Sequence, residues 1–102
     1  MTRVSQSSDH VPFLSNSQRE RLVLLIEECA EVQQAASKIL RHGYDSFHPS
    51  KPKGRNNKKE LEKELGDLKS AIDLLQKDVN LQVVEIWRSK KPVKRQRYLH
   101  WN

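Results

Sequence analysis

The 102-residue sequence has little of what usually braces a small protein. Its single cysteine, Cys29, excludes an intrachain disulfide. Set among leucines at helical spacing, that thiol is expected to act as a small buried hydrophobe rather than a reactive group. The three glycines, Gly43, Gly54 and Gly66, stand alone, which excludes a Walker loop and a dinucleotide fingerprint. The longest apolar run, Leu22 to Ile26, falls far short of the roughly 18 residues of a membrane span, so no membrane partner is expected. Met1 to Asn16 carry one Arg or Lys, Arg3, and no apolar stretch, so the reading is cytoplasmic rather than secreted. His10, His42, His48 and His100 show no metal-ligand spacing and no triad partner.

Apolar residues are also scarce. They form 35% of the chain, with a mean hydropathy of −0.84, against about 45–50% in ordinary soluble domains. A folded chain of 11.9 kDa should expose about 6,000 Å² and bury about 65% of its unfolded surface, which allows one domain with a modest core. Self-association into a homodimer or homotetramer is therefore expected, each copy burying a second helix face against another.

Charge, by contrast, is abundant and segregated. The net charge is +6, yet Arg88 to Asn102 hold six basic residues and no acid, while the remainder balances 13 against 13. A smaller basic cluster comprises Lys51, Lys53, Arg55, Lys58 and Lys59. The acids gather in two other segments.

Residues 1–16, rich in Ser, Asn and Gln with Pro12 inside, read as a flexible arm. A single domain then covers 17–102, its basic C-terminal segment being 88–102. Ser17 with Glu20 forms a capping box and Gly43 a stop, predicting a helix over 18–42 with the stripe Leu22, Leu25, Ile26, Cys29, Ala36 and Leu40. Tyr44 to Asn57, with Pro49, Pro52 and Gly54, reads as a basic loop. Asn57 and Glu60 open a second helix reaching about Val79, its stripe being Leu61, Leu65, Leu68, Ile72, Leu75 and Val79. Asn80 caps a third helix with Leu81, Val84 and Trp87, which Pro92 should interrupt or end. Trp87, Tyr98 and Trp101 are expected to be packing anchors. No strand alternation, repeat or sustained heptad is present, so the fold class is all-α: two long antiparallel helices, shorter C-terminal helices and a core completed by oligomerisation.

Each long helix carries acids three residues apart, Glu28 and Glu31 on the first, Glu64 and Asp67 on the second. Such pairs share a helix face, here interleaved with Leu24, Ala35, Ala71 and Leu74 and bordering the apolar stripes. Carboxylates gathered beside buried surface need protons or cations, and four oxygen donors on two helices suit Mg²⁺, with Mn²⁺ as a substitute. Ordinary solvated helix faces are the plainer reading of either pair alone.

The segments Glu27-Glu28-Cys29-Ala30-Glu31 and Glu64-Leu65-Gly66-Asp67 resemble the EExxE and ExxD signature of the MazG-like all-α nucleoside triphosphate pyrophosphohydrolases over roughly residues 20–100. The chain looks like their compact single-domain phage or bacterial versions. It departs from the pattern in spacing: 32 residues separate Glu31 from Glu64, with the excess in the basic loop. The resemblance implies hydrolysis of a ribo- or deoxyribonucleoside triphosphate between the α and β phosphates, giving a monophosphate and pyrophosphate. It implies Glu28, Glu31, Glu64 and Asp67 as metal ligands. Glu28 and Glu27 are the implied catalytic residues, with Glu27, off the ligand face, either supporting the ligands from outside or orienting the attacking water. Asp73 points away from Asp67 and is left out of the ligand set.

Candidate cations for the triphosphate are Lys91, Arg95 and Arg55, alongside Lys51, Lys53, Lys90 and Lys94. Tyr44 and Phe47 are the better candidates to contact a base. The competing function is a small helical nucleic-acid-binding protein gripping phosphates through its basic tail, with the acidic faces as mere surface. A structural interaction module without chemistry is a third reading.

Overall fold

The computed structural model describes residues 13–47, 49–50, 55–95 and 99. Expectations for the arm up to Pro12, for Lys51, Lys53, Tyr98 and Trp101, and for His10, His48 and His100 lie outside the described residues. Among the described residues three helices make up the fold: α1 (Asn16–His42), α2 (Asn57–Leu74), which tightens into a 3₁₀ turn at Leu75–Lys77, and α3 (Leu81–Arg95). No strand occurs among the described residues.

The helix ends follow local side-chain chemistry, with small shifts from expectation. The first cap is Ser15, not Ser17: its Oγ accepts from the Gln18 N–H at 3.1 Å, and Gln18 Oε1 accepts from the Ser15 N–H at 2.9 Å. The Ser-x-x-Gln box two residues upstream does the work expected of Ser17 and Glu20. At the other end Gly43 adopts φ +88°, open to glycine at little cost, and its N–H closes on the Ile39 carbonyl at 2.7 Å. α2 is capped by Asn56, whose side chain accepts from the Lys59 N–H, and it ends before Val79, which is exposed. Asn80 caps α3 as expected, accepting from Gln82 at 2.9 Å and Val83 at 3.3 Å. Pro92 does not end α3, which continues to Arg95. Its missing N–H frees only the Arg88 carbonyl, in an exposed turn where water can satisfy it.

α1 and α2 form an antiparallel hairpin tied at both ends. At the loop end Asn57 Nδ2 donates to the Gly43 carbonyl, while the Asn57 and Lys58 amides donate to Ser46 and Tyr44. At the far end Arg21 grips Asp78 through Nε at 2.6 Å and Nη2 at 2.9 Å, and Gln18 Nε2 adds a 3.3 Å bond. This bidentate pair joins the first turns of α1 to the chain just beyond α2.

The face that α1 turns to α2 is not the expected stripe. Leu22, Ile26, Cys29, Ala36 and Leu40 are exposed, as is Leu65 of α2. The inward face is the adjacent one, with Leu24, Leu25, Glu28, Val32 and Ile39 half-buried and Ala35 buried. α2 answers with Leu61, Leu68 and Ile72 half-buried and Ala71 and Leu75 buried. Ala35, Ala71 and Leu75 are the buried hydrophobic core among the described residues. Small residues in the seam let the helices approach and bring the acid-bearing faces together. α3 makes few contacts with the hairpin, so Trp87 is exposed instead of anchoring a core, with Lys90 Nζ 5.0 Å from its ring centroid. The radius of gyration, 17.6 Å, exceeds the ~13 Å of a compact domain this long.

The Arg21 bond holds the Asp78 carboxyl below its ordinary value. Stability from this clamp is therefore present above the unfolded value near 3.8 and lost as pH falls through the lower folded value. In thermal melts between pH 2 and 7, Asp78→Asn should melt below wild type at pH 7, with the difference shrinking at the acidic end.

Candidate metal centre

Within the hairpin, Glu28 and Glu31 project from α1 and Glu64 and Asp67 from α2. One carboxylate oxygen from each lies within 4.8 Å of the other three. The antiparallel register produces this: residues three apart on one helix meet residues three apart on the other. The four expected ligands therefore converge, all from one chain.

The electrostatics are those of crowded like charges. Glu28 Oε2 and Glu64 Oε1 are buried with no hydrogen-bond partner among the described residues. A carboxylate oxygen removed from water without a donor is costly unless a proton or cation meets it. Burial first, then contact with the Glu31 carboxylate, pushes Glu64 above the usual carboxylate range; Lys63 draws it partly back, while the charges of Glu31 and Asp67 add to the rise. Lys63 Nζ stands at the rim, 2.8 Å from Asp67 Oδ2 and 3.7 Å from Glu64 Oε1. Its bond to Asp67, reinforced by the charges of Glu64 and Asp67, holds the ammonium above its ordinary value.

The donor set fits a hard divalent cation. An octahedral site with bonds of about 2.1 Å places its oxygens about 3.0 or 4.2 Å apart, so a group already within 4.8 Å needs little closure. Two buried, donorless oxygens are the unsatisfied acceptors that such a cation would complete. Glu31 is exposed, which leaves an approach from solvent.

Other expected site residues stand apart from this group. Glu27 is exposed and outside the cluster. Arg55 lies just before α2 and is held by Glu60 at 2.7 Å, one turn before Glu64. Lys91 and Arg95 are exposed on α3, and Tyr44 and Phe47 are exposed after α1. Sequence reasoning missed Lys63, although its spacing of four from Asp67 was a readable signal. It also missed the Arg21–Asp78 clamp, whose partners lie 57 residues apart with no local pattern joining them.

Comparison with known proteins finds no match, whether to a family model, a curated protein or a solved structure.

Because the folded value of Glu64 is raised, its ionisation opposes folding: the folded state is favoured most below the unfolded value of about 4.5, and that advantage fades as pH rises through the folded value. Glu64→Gln should accordingly melt above wild type at pH 7 in EDTA. Mg²⁺ at a hundred times its dissociation constant should add about 2.7 kcal/mol to wild type. Calorimetric melts should show that metal-induced gain shrinking in Glu64→Gln.

Proposed function

We propose that the chain is a MazG-like nucleoside triphosphate pyrophosphohydrolase, cleaving (deoxy)nucleoside triphosphates to a monophosphate and pyrophosphate. The observation supporting this reading is the convergence of Glu28, Glu31, Glu64 and Asp67 from two helices of one chain, with two of their oxygens buried and lacking donors among the described residues. Solvated helix faces have no reason to aim four carboxylates at one point against their mutual repulsion.

Those four residues would hold Mg²⁺, or Mn²⁺ in its place, which when bound lowers the pKa of a water and offsets charge on phosphate oxygens. The chain itself supplies placement and counter-charge. Bare, the cluster repels a polyanion, so the triphosphate needs cations at its rim, and Lys63 is already there. Arg55, just before α2, and Lys91 and Arg95, on α3, would meet the outer phosphates. Glu27, exposed beside Glu28, would orient the attacking water or accept its proton. In the reaction, a water oxygen bonds to the α-phosphorus and the bond to the α,β-bridging oxygen breaks, releasing pyrophosphate. The enzyme would work as a homodimer or homotetramer in the cytoplasm, without nucleic acid as a partner.

The test is chromatography of products from the eight common ribo- and deoxyribonucleoside triphosphates, with Mg²⁺ or EDTA, for wild type and Glu28→Ala. Metal-dependent monophosphate and pyrophosphate are expected from one or a few nucleotides. Activity should fall more than about 100-fold in the variant, since even outer partners of metal ligands are worth 10- to 100-fold. Survival of every nucleotide with both Mg²⁺ and Mn²⁺ would sink the reading for these substrates and leave nucleic-acid binding to be assayed. Replacing Lys91 and Arg95 together by alanine should raise KM and leave the Mg²⁺-induced melting shift unchanged.

A further inference from the structure

Lys63 touches the carboxylate cluster without belonging to it. It stands on α2 one residue before Glu64 and four before Asp67, with its Nζ 2.8 Å from Asp67 Oδ2 and 3.7 Å from Glu64 Oε1. One ammonium thus faces two of the four acids, more than an ordinary surface pair four residues apart requires. Arg21 and Arg55, by contrast, are turned to Asp78 and Glu60. The Lys63 contact is incomplete and loosely made. At 3.7 Å, Nζ is beyond hydrogen-bond range of Glu64 Oε1, which is buried and has no donor among the described residues. A lysine placed before its acid on a helix is also the weaker orientation of such a pair. The Lys63 side chain is 49% exposed, and its position lies about 100° round α2 from Glu64, on the outer edge of the helix. The ammonium can swing into water about its four-carbon stem while both helices stay in place.

We propose that Lys63 is a tethered counter-cation which a divalent cation must displace from Asp67 and Glu64, and that the released ammonium then binds a phosphate oxygen of the substrate. An ammonium and a divalent cation drawn to the same two carboxylates repel each other at contact distance. The divalent ion carries twice the charge and takes several oxygens at once, whereas Nζ bonds only one of them, so the exchange favours the ion. Lys63 therefore weakens metal binding when the metal comes alone. A ligand that offers the ammonium a new anion relieves the repulsion, so metal and phosphate each strengthen the binding of the other. Arg55, although held by Glu60, lies near enough for its charge to act on Lys63. Two cations on one side of the cluster suit a ligand with more than one phosphate. The displacement is independent of any reaction; the phosphate half rests on the hydrolase reading.

Isothermal titration of the full chain with Mg²⁺, without nucleotide, tests the displacement. Lys63→Met should keep its helical circular dichroism, since the side chain is half exposed, and bind Mg²⁺ about 5-fold or more tightly than wild type. Lys59→Met, one turn earlier on α2 and exposed, removes the same charge outside the cluster and should leave the affinity nearly unchanged. The gain in Lys63→Met should persist in about 0.5 M KCl, where charges not in contact are screened. Unaltered or weaker Mg²⁺ binding by Lys63→Met, an equal gain in Lys59→Met, or a gain abolished by the salt would each overturn the displacement. In saturating Mg²⁺, inorganic pyrophosphate should bind Lys63→Met about tenfold or more weakly than wild type, because a charge-assisted bond is lost. Equal pyrophosphate binding would overturn the phosphate half. Tighter Mg²⁺ binding by Lys63→Met in a chain that leaves every nucleotide intact would count against the hydrolase reading and the phosphate half, and for the displacement.

Discussion

Mutual repulsion of four carboxylates within 4.8 Å is the constraint that organises this hairpin. Left to itself, that repulsion would slide or splay α1 and α2 until the acids stood further apart. The opposing apolar contact is modest, with Ala35, Ala71 and Leu75 its buried members among the described residues. Directional bonds at the two ends therefore matter more than usual: Asn57 to Gly43 beside the loop, and Arg21 with Gln18 to Asp78 beyond α2. Fixing both ends fixes the register, and the register keeps Glu28 and Glu31 opposite Glu64 and Asp67. Lys63 moderates the remaining repulsion from the rim, where its flexible stem can leave the cluster without moving backbone.

Much of this was legible in the sequence because it is local. Gly43 ends α1 for the reason expected, a positive φ that closes the last turn. The spacing of three within each acid pair is enough to put both members on one helix face, and they converge as that spacing implies. The capping errors of α1 and α2, two residues and one, arose because Ser15, Ser17, Asn56 and Asn57 are all competent caps in a row. Packing against Asp78 and the Gly43 carbonyl selects among them.

The orientation of α1 was not legible, for a different physical reason. Its apolar residues fall on two adjacent flanks, Leu24, Val32, Ala35 and Ile39 on one and Leu22, Ile26, Ala36 and Leu40 on the other. The two flanks carry apolar residues of similar number and size, so periodicity cannot choose between them; that choice belongs to the contact with α2. The same blindness made Trp87 an expected anchor, since an aromatic residue on a helix says nothing about whether another element comes near. Cys29 went the same way: it belongs to the flank that α2 does not cover.

The bonds from Tyr44, Ser46 and Gly43 to Asn57 and Lys58 cinch the chain where it leaves α1 and enters α2. With the chain closed at those bonds, the number of residues between Phe47 and Arg55 is decoupled from the geometry of the carboxylates. Since the entropy of closing a loop grows only with the logarithm of its length, doubling this stretch would cost about 0.6 kcal/mol. The 32-residue separation of Glu31 from Glu64 is thus mechanically harmless. It marks a place where foreign sequence, an affinity tag or a reporter, could be grafted while the four acids keep their positions.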